Sequence, residues 1–401
     1  MAMLGRVIFC GVLGVTIAAC TVVSCPANMT CTLKQSEPAA GGKGGGGSGG
    51  GSADAGTGDS SEGGQIEDDG GNGAPDLPPG DWVNVTGSLK GLASGCGNLS
   101  GLFIQPETDL LIPGVLQQGL WSSKAGPKWA RLGTGTGSDV ITNSPLTLVF
   151  DPDDRDHFWE AGIYGATGGV YETKDGGDTF TALPMSGSDS LSVAFSDPQR
   201  KILLAAGHEH AQAVFKSTDG GTTWANISDD LPKDRWCTVT LALDSKTYLV
   251  GCGLSGGLTG IYRTADGGKT WKQVSDGGGA LRPLQAADGS IYWSSAGNGQ
   301  LVRSTDDGKT WTEVMRANVL PGRNPIELPD GRIVAIGPKT LVVSSNHGIT
   351  WDYASAYLPF ATPAGVVYSA TQRAFFLWHN DCGNVVLDDA VMRFDFDYET
   401  Q

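Results

Sequence analysis

The stretch STDGGTTW at residues 217–224 decides how the rest of the chain is interpreted, because copies of it recur along the sequence. Further segments fit the pattern Ser/Thr-x-Asp-x-Gly-x-Thr-Trp/Phe, the last of them with Asn in place of Asp: 173–180, 264–271, 304–311 and 344–351. A weaker copy at 122–129 keeps the Ser, Gly and Trp. Consecutive copies end 40 to 51 residues apart, which is the length of one four-stranded blade of a β-propeller.

The strands predicted around these segments form a repeating unit. Each unit has an apolar strand, a turn, a second apolar strand, a loop, and a third strand that leads into the repeated segment. Such units begin near Cys96, Leu146, Leu191, Trp236, Leu281, Asn324 and Gly365. The last unit lacks a fourth strand, whereas residues 82–85 look like a fourth strand without a blade, and joining the two closes a ring without exposed sheet edges. We therefore predict an all-β, seven-bladed propeller of four-stranded antiparallel blades over residues 81–401.

The repeated segments resemble the Asp-box, or bacterial neuraminidase repeat, and the resemblance extends over residues 81–401. It implies a structural role, in which the Asp accepts hydrogen bonds from turn amides, the Gly adopts a positive φ, and the aromatic residue packs between sheets. The residues that take these roles are Asp175, Phe180, Asp219, Trp224, Asp266, Trp271, Asp306, Trp311, Asn346 and Trp351. The chain is similar to sialidases, sortilin-type receptors, the photosystem II assembly-factor family and xyloglucan-cleaving glycosidases, so the resemblance leaves the function open.

The N-terminal residues are typical of an exported protein. Residues 1–19 have the pattern of a signal peptide, with Arg6 ahead of an apolar run that is too short to span a bilayer. The run ends in Ile-Ala-Ala-Cys, which resembles the lipobox of bacterial lipoproteins and implies lipidation of Cys20; the alternative is an ordinary cleavage site. Residues 20–80, rich in Gly, Ser and Asp, are predicted to form a flexible linker. We expect an extracytoplasmic protein, anchored by its lipid at the bacterial outer membrane or cell surface.

The remaining cysteines fit an oxidising compartment. Cys237 and Cys252 lie on consecutive predicted strands of one blade, Cys96 and Cys382 lie in blades that are neighbours only in a closed ring, and Cys25 and Cys31 form a local pair in the linker. These three pairs are candidate disulfides. The alternative is that some of these cysteines are free and buried.

The charge balance and the absent motifs exclude several partners. The chain carries 27 Lys+Arg against 43 Asp+Glu, a formal net charge of -16, whereas nucleic-acid binding requires a concentrated basic face. Its glycine-rich runs lie in the linker or in the repeated turns and not between a strand and a helix, so we expect no nucleotide and no cofactor. His208 and His210 lack an identifiable third ligand, and the acidic residues at 151–156 fit an ordinary Asp-Pro turn, so no metal site is predicted.

Ligands of propellers usually bind where the loops between second and third strands meet the loops between blades. The sequence places candidate ligand-binding residues on this face: Arg235, Arg282, Arg323, Trp236, Trp293, His208, His210, Trp378 and His379, with Tyr164 and Glu160 beside them. Arginines at a channel mouth suit bidentate binding of a carboxylate, and the likeness to sialidases implies an arginine triad for that purpose. The Arg-Ile-Pro signature of the first sialidase blade is absent, and no nucleophilic Tyr/Glu pair is evident.

The sequence favours a cell-envelope lipoprotein whose propeller binds an envelope or extracellular protein, or a glycan, without catalysis. No residue is assigned to catalysis, and the lipid anchor is the only expected contact with the membrane. One alternative is an exo-acting, sialidase-like glycoside hydrolase that recognises a carboxylate-bearing sugar through Arg235, Arg282 and Arg323. The other is a structural subunit of an envelope assembly, which would expose an apolar patch on its rim.

Overall fold

The computed structural model describes residues 77–94, 99–165, 169–253, 259–295, 299–315, 320, 323–380, 387 and 390–400. These residues form the predicted seven-bladed propeller, a ring of seven four-stranded antiparallel sheets. In six sheets the strands follow chain order, and the seventh joins the two ends of the propeller. The helical part of the described chain is the short 3-10 helix Gly87–Leu89, and no helix in that part is long and apolar enough to cross a bilayer.

Each blade takes four strands, which are numbered in chain order and run from the channel outwards. Blade 1 contains β2 (Leu99–Gln105), β3 (Leu110–Val115), β4 (Gly119–Ser122) and β5 (Ala130–Arg131). Blade 2 contains β6 (Ser144–Phe150), β7 (Phe158–Ile163), β8 (Val170–Thr173) and β9 (Thr181–Leu183). Blade 3 contains β10 (Ser188–Val193), β11 (Leu203–Gly207), β12 (Val214–Ser217) and β13 (Ala225–Asn226). Blade 4 contains β14 (Trp236–Ala242), β15 (Tyr248–Gly253), β16 (Thr259–Thr264) and β17 (Lys272–Ser275).

The remaining blades follow the same plan with shorter inner strands. Blade 5 contains β18 (Leu284–Gln285), β19 (Ile291–Ser294), β20 (Leu301–Ser304) and β21 (Thr312–Met315). Blade 6 contains β22 (Ile326–Glu327), β23 (Ile333–Ile336), β24 (Leu341–Ser344) and β25 (Asp352–Tyr353). Blade 7 contains β26 (Gly365–Ser369), β27 (Ala374–Trp378), β28 (Val391–Asp395) and, as its outermost strand, β1 (Val83–Asn84).

Blade 7 closes the ring with strands from both ends of the propeller, as the sequence predicts. In the β1–β28 pair, Val83 lies opposite Arg393. Close by, the Val85 amide donates to the Val391 carbonyl at 2.9 Å, and the Val391 amide donates to the Thr86 hydroxyl at 3.0 Å. The closing contact is therefore a short backbone ladder between residues that are far apart in the chain.

The core lies between neighbouring blades, because each sheet packs on two others. The second strands therefore carry buried residues on both faces: all residues of β7 and of β11 are buried. Large side chains such as Trp159 and Trp293, neither of them exposed, fill the spaces between sheets. Full burial of one large apolar side chain stabilises a fold by about 1.5–3 kcal/mol, so the seven intersheet layers carry most of the stability.

The five repeated segments fold as one type of turn between the third and fourth strands. In segment 264–271, Asp266 accepts hydrogen bonds from the Thr264 hydroxyl at 2.7 Å, the Thr270 amide at 3.0 Å and the Thr270 hydroxyl at 2.7 Å. Gly268 has a φ of +94°, and a Cβ added there would lie 2.6 Å from Ile227 Cδ1 of the preceding blade. Trp271 Nε1 donates to the Ile227 carbonyl at 2.9 Å. This turn therefore ties blade 4 to blade 3.

Turns between first and second strands also link neighbouring blades. Asp109 of blade 1 accepts hydrogen bonds from the Ser369 and Thr371 hydroxyls and, at 3.0 Å, from the Thr371 amide of blade 7. Asp151 of blade 2 receives the guanidinium of Arg200 of blade 3, with Nε–Oδ2 at 2.8 Å and Nη2–Oδ1 at 2.9 Å. This acidic turn at 151–156 thus has a structural partner in the next blade.

Candidate functional site

The candidate site lies on the face opposite the repeated turns, which we call the loop-rich face. It is formed by the loops between second and third strands and by the connections between blades. On this face, three side chains from blades 2 and 3 form a hydrogen-bonded group. Asp189 Oδ1 lies 2.7 Å from His208 Nδ1, and the Tyr164 hydroxyl lies 3.0 Å from His208 Nε2. We call these three residues the Tyr164 group.

Strand geometry positions the members of the Tyr164 group. Asp189 lies near the start of β10, His208 directly follows β11, which pairs with β10, and Tyr164 directly follows β7 of the neighbouring blade. The Tyr164 and His208 rings meet edge to face, with centroids 4.9 Å apart. The group therefore bridges two blades at the point where both second strands end.

The charges around His208 favour its protonated form. The hydrogen bond with Asp189 raises the pKa of His208 above its ordinary value, partial burial opposes this, and the charges of Asp189 and Glu209 add to the increase. Glu209 Oε1 lies 3.6 Å from His208 Nε2. Asp189 Oδ2 is buried and has no hydrogen-bond partner in the described part of the chain. The charge of the Asp189 carboxylate is therefore balanced mainly by His208.

The backbone around the group adopts an uncommon conformation. Tyr164 has a φ of 62°, Glu209 of 54° and Gln212 of 52°, all in the left-handed region that bulky residues rarely occupy. The Gln212 amide holds its loop in place, because Nε2 donates to the Leu231 carbonyl at 2.9 Å and to the Asp229 carbonyl at 3.0 Å. Tyr164 is 63% exposed. Tyr164 is thus an exposed side chain whose hydroxyl contacts His208, and Gln212 fixes the loop that carries His208.

The candidates Trp236, Arg235 and His210 adjoin the Tyr164 group. Trp236 is 37% exposed at the start of β14, and it pairs with Ala211 of the His208 loop in an isolated β-bridge. His210, in the same loop, is exposed. Arg235 lies over β16, since a Cβ added to Gly260 would be 3.8 Å from its Nη1. The three predicted residues are thus brought to one part of the loop-rich face.

Arg282 reaches into the channel of the ring. Its Nη1 donates at 2.6 Å to the carbonyl of Leu148, which lies on the innermost strand of blade 2, whereas Arg282 precedes the innermost strand of blade 5. The side chain is in contact with solvent but surrounded by protein, which lowers its pKa to about 10, so it stays cationic at neutral pH. Within the described residues Arg282 has no ion-pair partner.

Arg323 contacts another part of the ring. Its Nε donates to the Pro363 carbonyl at 2.7 Å, in the connection between blades 6 and 7, and burial lowers its pKa. The three predicted arginines therefore contact three different elements, namely β16 for Arg235, β6 for Arg282 and the 363 loop for Arg323.

Three predicted candidates with aromatic rings, Trp293, Trp378 and His379, have structural contacts. Trp293 has no exposed surface, because it lies on the second strand of blade 5 between sheets; its Nε1 donates to the Ala280 and Leu281 carbonyls at 3.1 and 2.8 Å. It therefore supports the loop that carries Arg282 and is not at the surface, contrary to the expectation. Trp378 packs against the core and covers Gly365. His379 stacks on Phe360 with ring centroids 3.9 Å apart.

Glu160 is also interior, although the sequence suggested a place beside the ligand. It lies in the middle of β7 with no exposed surface. Burial raises its pKa to about 8, against the hydrogen bond that it accepts from Asn143 Nδ2 at 3.1 Å. Glu160 is therefore mostly protonated at neutral pH.

The cysteine predictions are partly within the described residues. Cys237 and Cys252 face each other in the β14–β15 ladder and form a disulfide. The other candidates, Cys25, Cys31, Cys96 and Cys382, lie outside the described residues, as do residues 1–76 with Cys20. Across the part of the chain that the structure describes, no group of three or more His, Cys, Asp or Glu residues could hold a metal ion.

Solved structures share this fold at low sequence identity. No family model and no curated protein matches the chain. The Niastella koreensis GH74 enzyme is similar with a TM-score of 0.56 and 16% identity, over 76% of this chain and 53% of that one. YCF48 bound to D1 peptide is similar with a TM-score of 0.53 and 12% identity, over 80% of this chain and 98% of that one. The extracellular domain of the putative hybrid two component system BT3049 from B. thetaiotaomicron is similar with a TM-score of 0.54 and 12% identity, over 79% and 42%. The chain thus spans about half of the GH74 enzyme and nearly all of YCF48.

Proposed function

We propose that this protein is an extracytoplasmic lipoprotein whose propeller binds a partner through the loop-rich face, without catalysis. The observation that carries the proposal is a pair of exposed aromatic side chains on either side of the His208 loop: Tyr164 contacts His208, and Trp236 pairs with Ala211. Exposed aromatic residues with a polar tip are the side chains that most often anchor binding interfaces. Because Gln212 already holds the His208 loop in place through hydrogen bonds, ordering of this loop on binding costs little conformational entropy.

A protein is the favoured partner, and a glycan is the other. YCF48, nearly the whole of which this propeller matches, is named as bound to a peptide, and the B. thetaiotaomicron domain is named as extracellular. A glycan could also stack on Tyr164 and Trp236. We infer export, and lipidation at Cys20, from the N-terminal sequence; Cys20→Ala should abolish incorporation of labelled palmitate, and incorporation that persists would refute this part of the proposal.

Photocrosslinking in cells tests the binding face. In the test variants, a benzophenone amino acid replaces Tyr164 or Trp236 on the loop-rich face. In the matched controls it replaces Lys269 or Lys309, which are exposed in the repeated turns. We expect adducts with the same protein from both loop-rich positions and none from the controls. Adducts from the control positions alone would refute the proposed face. Loop-rich positions without adducts, together with binding of the purified protein to a glycan array, would identify the glycan as partner.

A second candidate function is glycoside hydrolysis, which the likeness to the GH74 enzyme favours. The test is hydrolysis of a fluorogenic sialoside and of a panel of aryl glycosides by the purified protein. Turnover that disappears in Arg282→Ala would replace binding by catalysis as the function. Absence of turnover on every substrate would leave the binding proposal in place.

A further inference from the structure

The Tyr164 group has the geometry of an activated nucleophile. Its hydroxyl lies 3.0 Å from one nitrogen of His208, and Asp189 lies 2.7 Å from the other. Nucleophilic triads share this arrangement: a hydroxyl, a base within about 2.6–3.2 Å, and a third group that orients the base. The hydroxyl is on an exposed side chain at a left-handed backbone position, and such positions are concentrated at reactive sites.

We propose that Tyr164 is a nucleophile toward activated esters, with His208 as its base and Asp189 as the residue that positions His208. The bond formed joins Tyr164 Oη to the acyl carbon, and the bond broken joins that carbon to the leaving oxygen. His208 Nε2 takes the tyrosine proton and returns it to the leaving alkoxide. The product is O-acyl-tyrosine, which water hydrolyses with His208 again as base. This activity goes beyond the proposed function and would add catalysis to it; partner binding by the loop-rich face can hold or fail independently of the reactivity of Tyr164.

The proposal requires a neutral His208, so the surrounding charges set its pH dependence. The groups that face His208 are Asp189 from β10, Tyr164 from the loop after β7, and Glu209 from its own loop. Both carboxylates favour the protonated imidazole. Reactivity therefore rises with pH through a midpoint above the ordinary histidine value of about 6.5.

The chain offers a matched control in Tyr357, which is 55% exposed and forms no side-chain hydrogen bond among the described residues. The full-length protein is treated with p-nitrophenyl acetate, and acetylation of each tyrosine is followed by peptide mass spectrometry. Because general base catalysis contributes about 100-fold or more, we expect Tyr164 to be acetylated about 100-fold faster than Tyr357. Tyr164→Phe should abolish this rapid acetylation and leave Tyr357 unchanged.

Further variants separate the triad from a merely structural network. His208→Gln should reduce acetylation of Tyr164 to the rate of Tyr357. Asp189→Asn should lower the midpoint of the pH profile as well as the rate, because it removes the main cause of the raised histidine pKa. Circular dichroism confirms that each variant is folded. The proposal is wrong if Tyr164 and Tyr357 react equally, if His208→Gln leaves the rate unchanged, or if the rapid acetylation moves to His208 in Tyr164→Phe.

Discussion

At the residue scale, Glu160 couples folding to pH. Its pKa is about 8 in the folded chain, because burial disfavours the carboxylate more than Asn143 stabilises it, against an ordinary value of 4.5. The folded state therefore binds more protons than the unfolded state between these values. The free energy of unfolding contributed by this residue is fully present below pH 4.5 and decreases as the pH rises to about 8.

Glu160→Gln removes this titration and keeps the shape of the side chain. At pH 8 we expect the variant to have a free energy of unfolding up to a few kcal/mol above that of the wild type, since one pKa unit corresponds to about 1.4 kcal/mol. Its urea midpoint should be higher accordingly. At pH 4.5 the two should be nearly equal. Glu172→Gln is the control, because the Glu172 carboxylate pairs with His157 and its pKa is lowered, so that loss of its charge destabilises the fold at neutral pH. Parallel pH profiles for wild type and Glu160→Gln would contradict the expectation.

Single residues were the least predictable feature of this protein. Sequence reasoning placed Tyr164 and His208 on the loop-rich face, where the structure also has them, because their loops follow apolar strands. It missed Asp189, whose partner is 19 residues away on the next strand, because only the β10–β11 register brings the two together. It also placed Trp293 and Glu160 at the surface, because a position inside a second strand cannot be separated from the loop that follows without knowing where the strand ends.

At the element scale, Asp306 stabilises its turn. The carboxylate accepts hydrogen bonds from the Thr310 amide at 2.9 Å, the Thr310 hydroxyl at 2.7 Å and the Ser304 hydroxyl at 2.9 Å. Slight burial opposes ionisation, but these donors outweigh it and lower the pKa of Asp306 to about 2. We expect Asp306→Ala to reduce the free energy of unfolding by about 1–2 kcal/mol, the loss of one or two net hydrogen bonds.

The chain itself contains the control for this substitution. Asn346 occupies the same position in segment 344–351, where Oδ1 accepts from the Thr350 amide at 2.9 Å and Nδ2 donates to the Thr350 hydroxyl at 2.8 Å. Asp306→Asn should therefore retain most of the stability that Asp306→Ala loses. The free energy of unfolding of both variants is measured by chemical denaturation. Equal decreases for Asp306→Ala and Asp306→Asn would show that the side-chain hydrogen bonds do not stabilise the turn.

Elements of this fold were predictable because their signals are local. The repeated turn needs an Asp or Asn, a Gly and an aromatic residue at fixed spacing, and the inner strands need apolar side chains on both faces. The fourth strands are short and largely exposed, so their bounds depended on the repeat and not on hydrophobic pattern. The three arginines show the limit: loop conformation sends Arg282 across the channel, and spacing in sequence does not encode that direction.

At the scale of the whole molecule, the ring depends on a contact between its two ends. The edge of β28 is covered by β1, Trp82 packs on Phe394 with ring centroids 5.2 Å apart, and Val85 lies in the core between blades 7 and 1. Asp109 adds a second link between these blades. The sequence predicted this closure because the last repeating unit lacks a fourth strand and the N-terminal strand lacks a blade, so that each completes the other. A chain closed in this way cannot lose one end without exposing a sheet edge at the other.

Deletion of residues 1–86 removes β1, Trp82 and Val85 and leaves β28 unpaired. We expect a decrease in Tm of about 5 °C or more, since several kcal/mol of contacts are lost and one kcal/mol shifts the Tm of a domain of more than 300 residues by roughly 1–2 °C. An unpaired strand edge also promotes association between chains, so oligomers should appear in size-exclusion chromatography with light scattering. Deletion of residues 1–76 is the matched control and should leave both Tm and the monomer peak unchanged. If the two deletions behave alike, β1 does not hold the ring closed, and the remaining links, Asp109 foremost, must be sufficient.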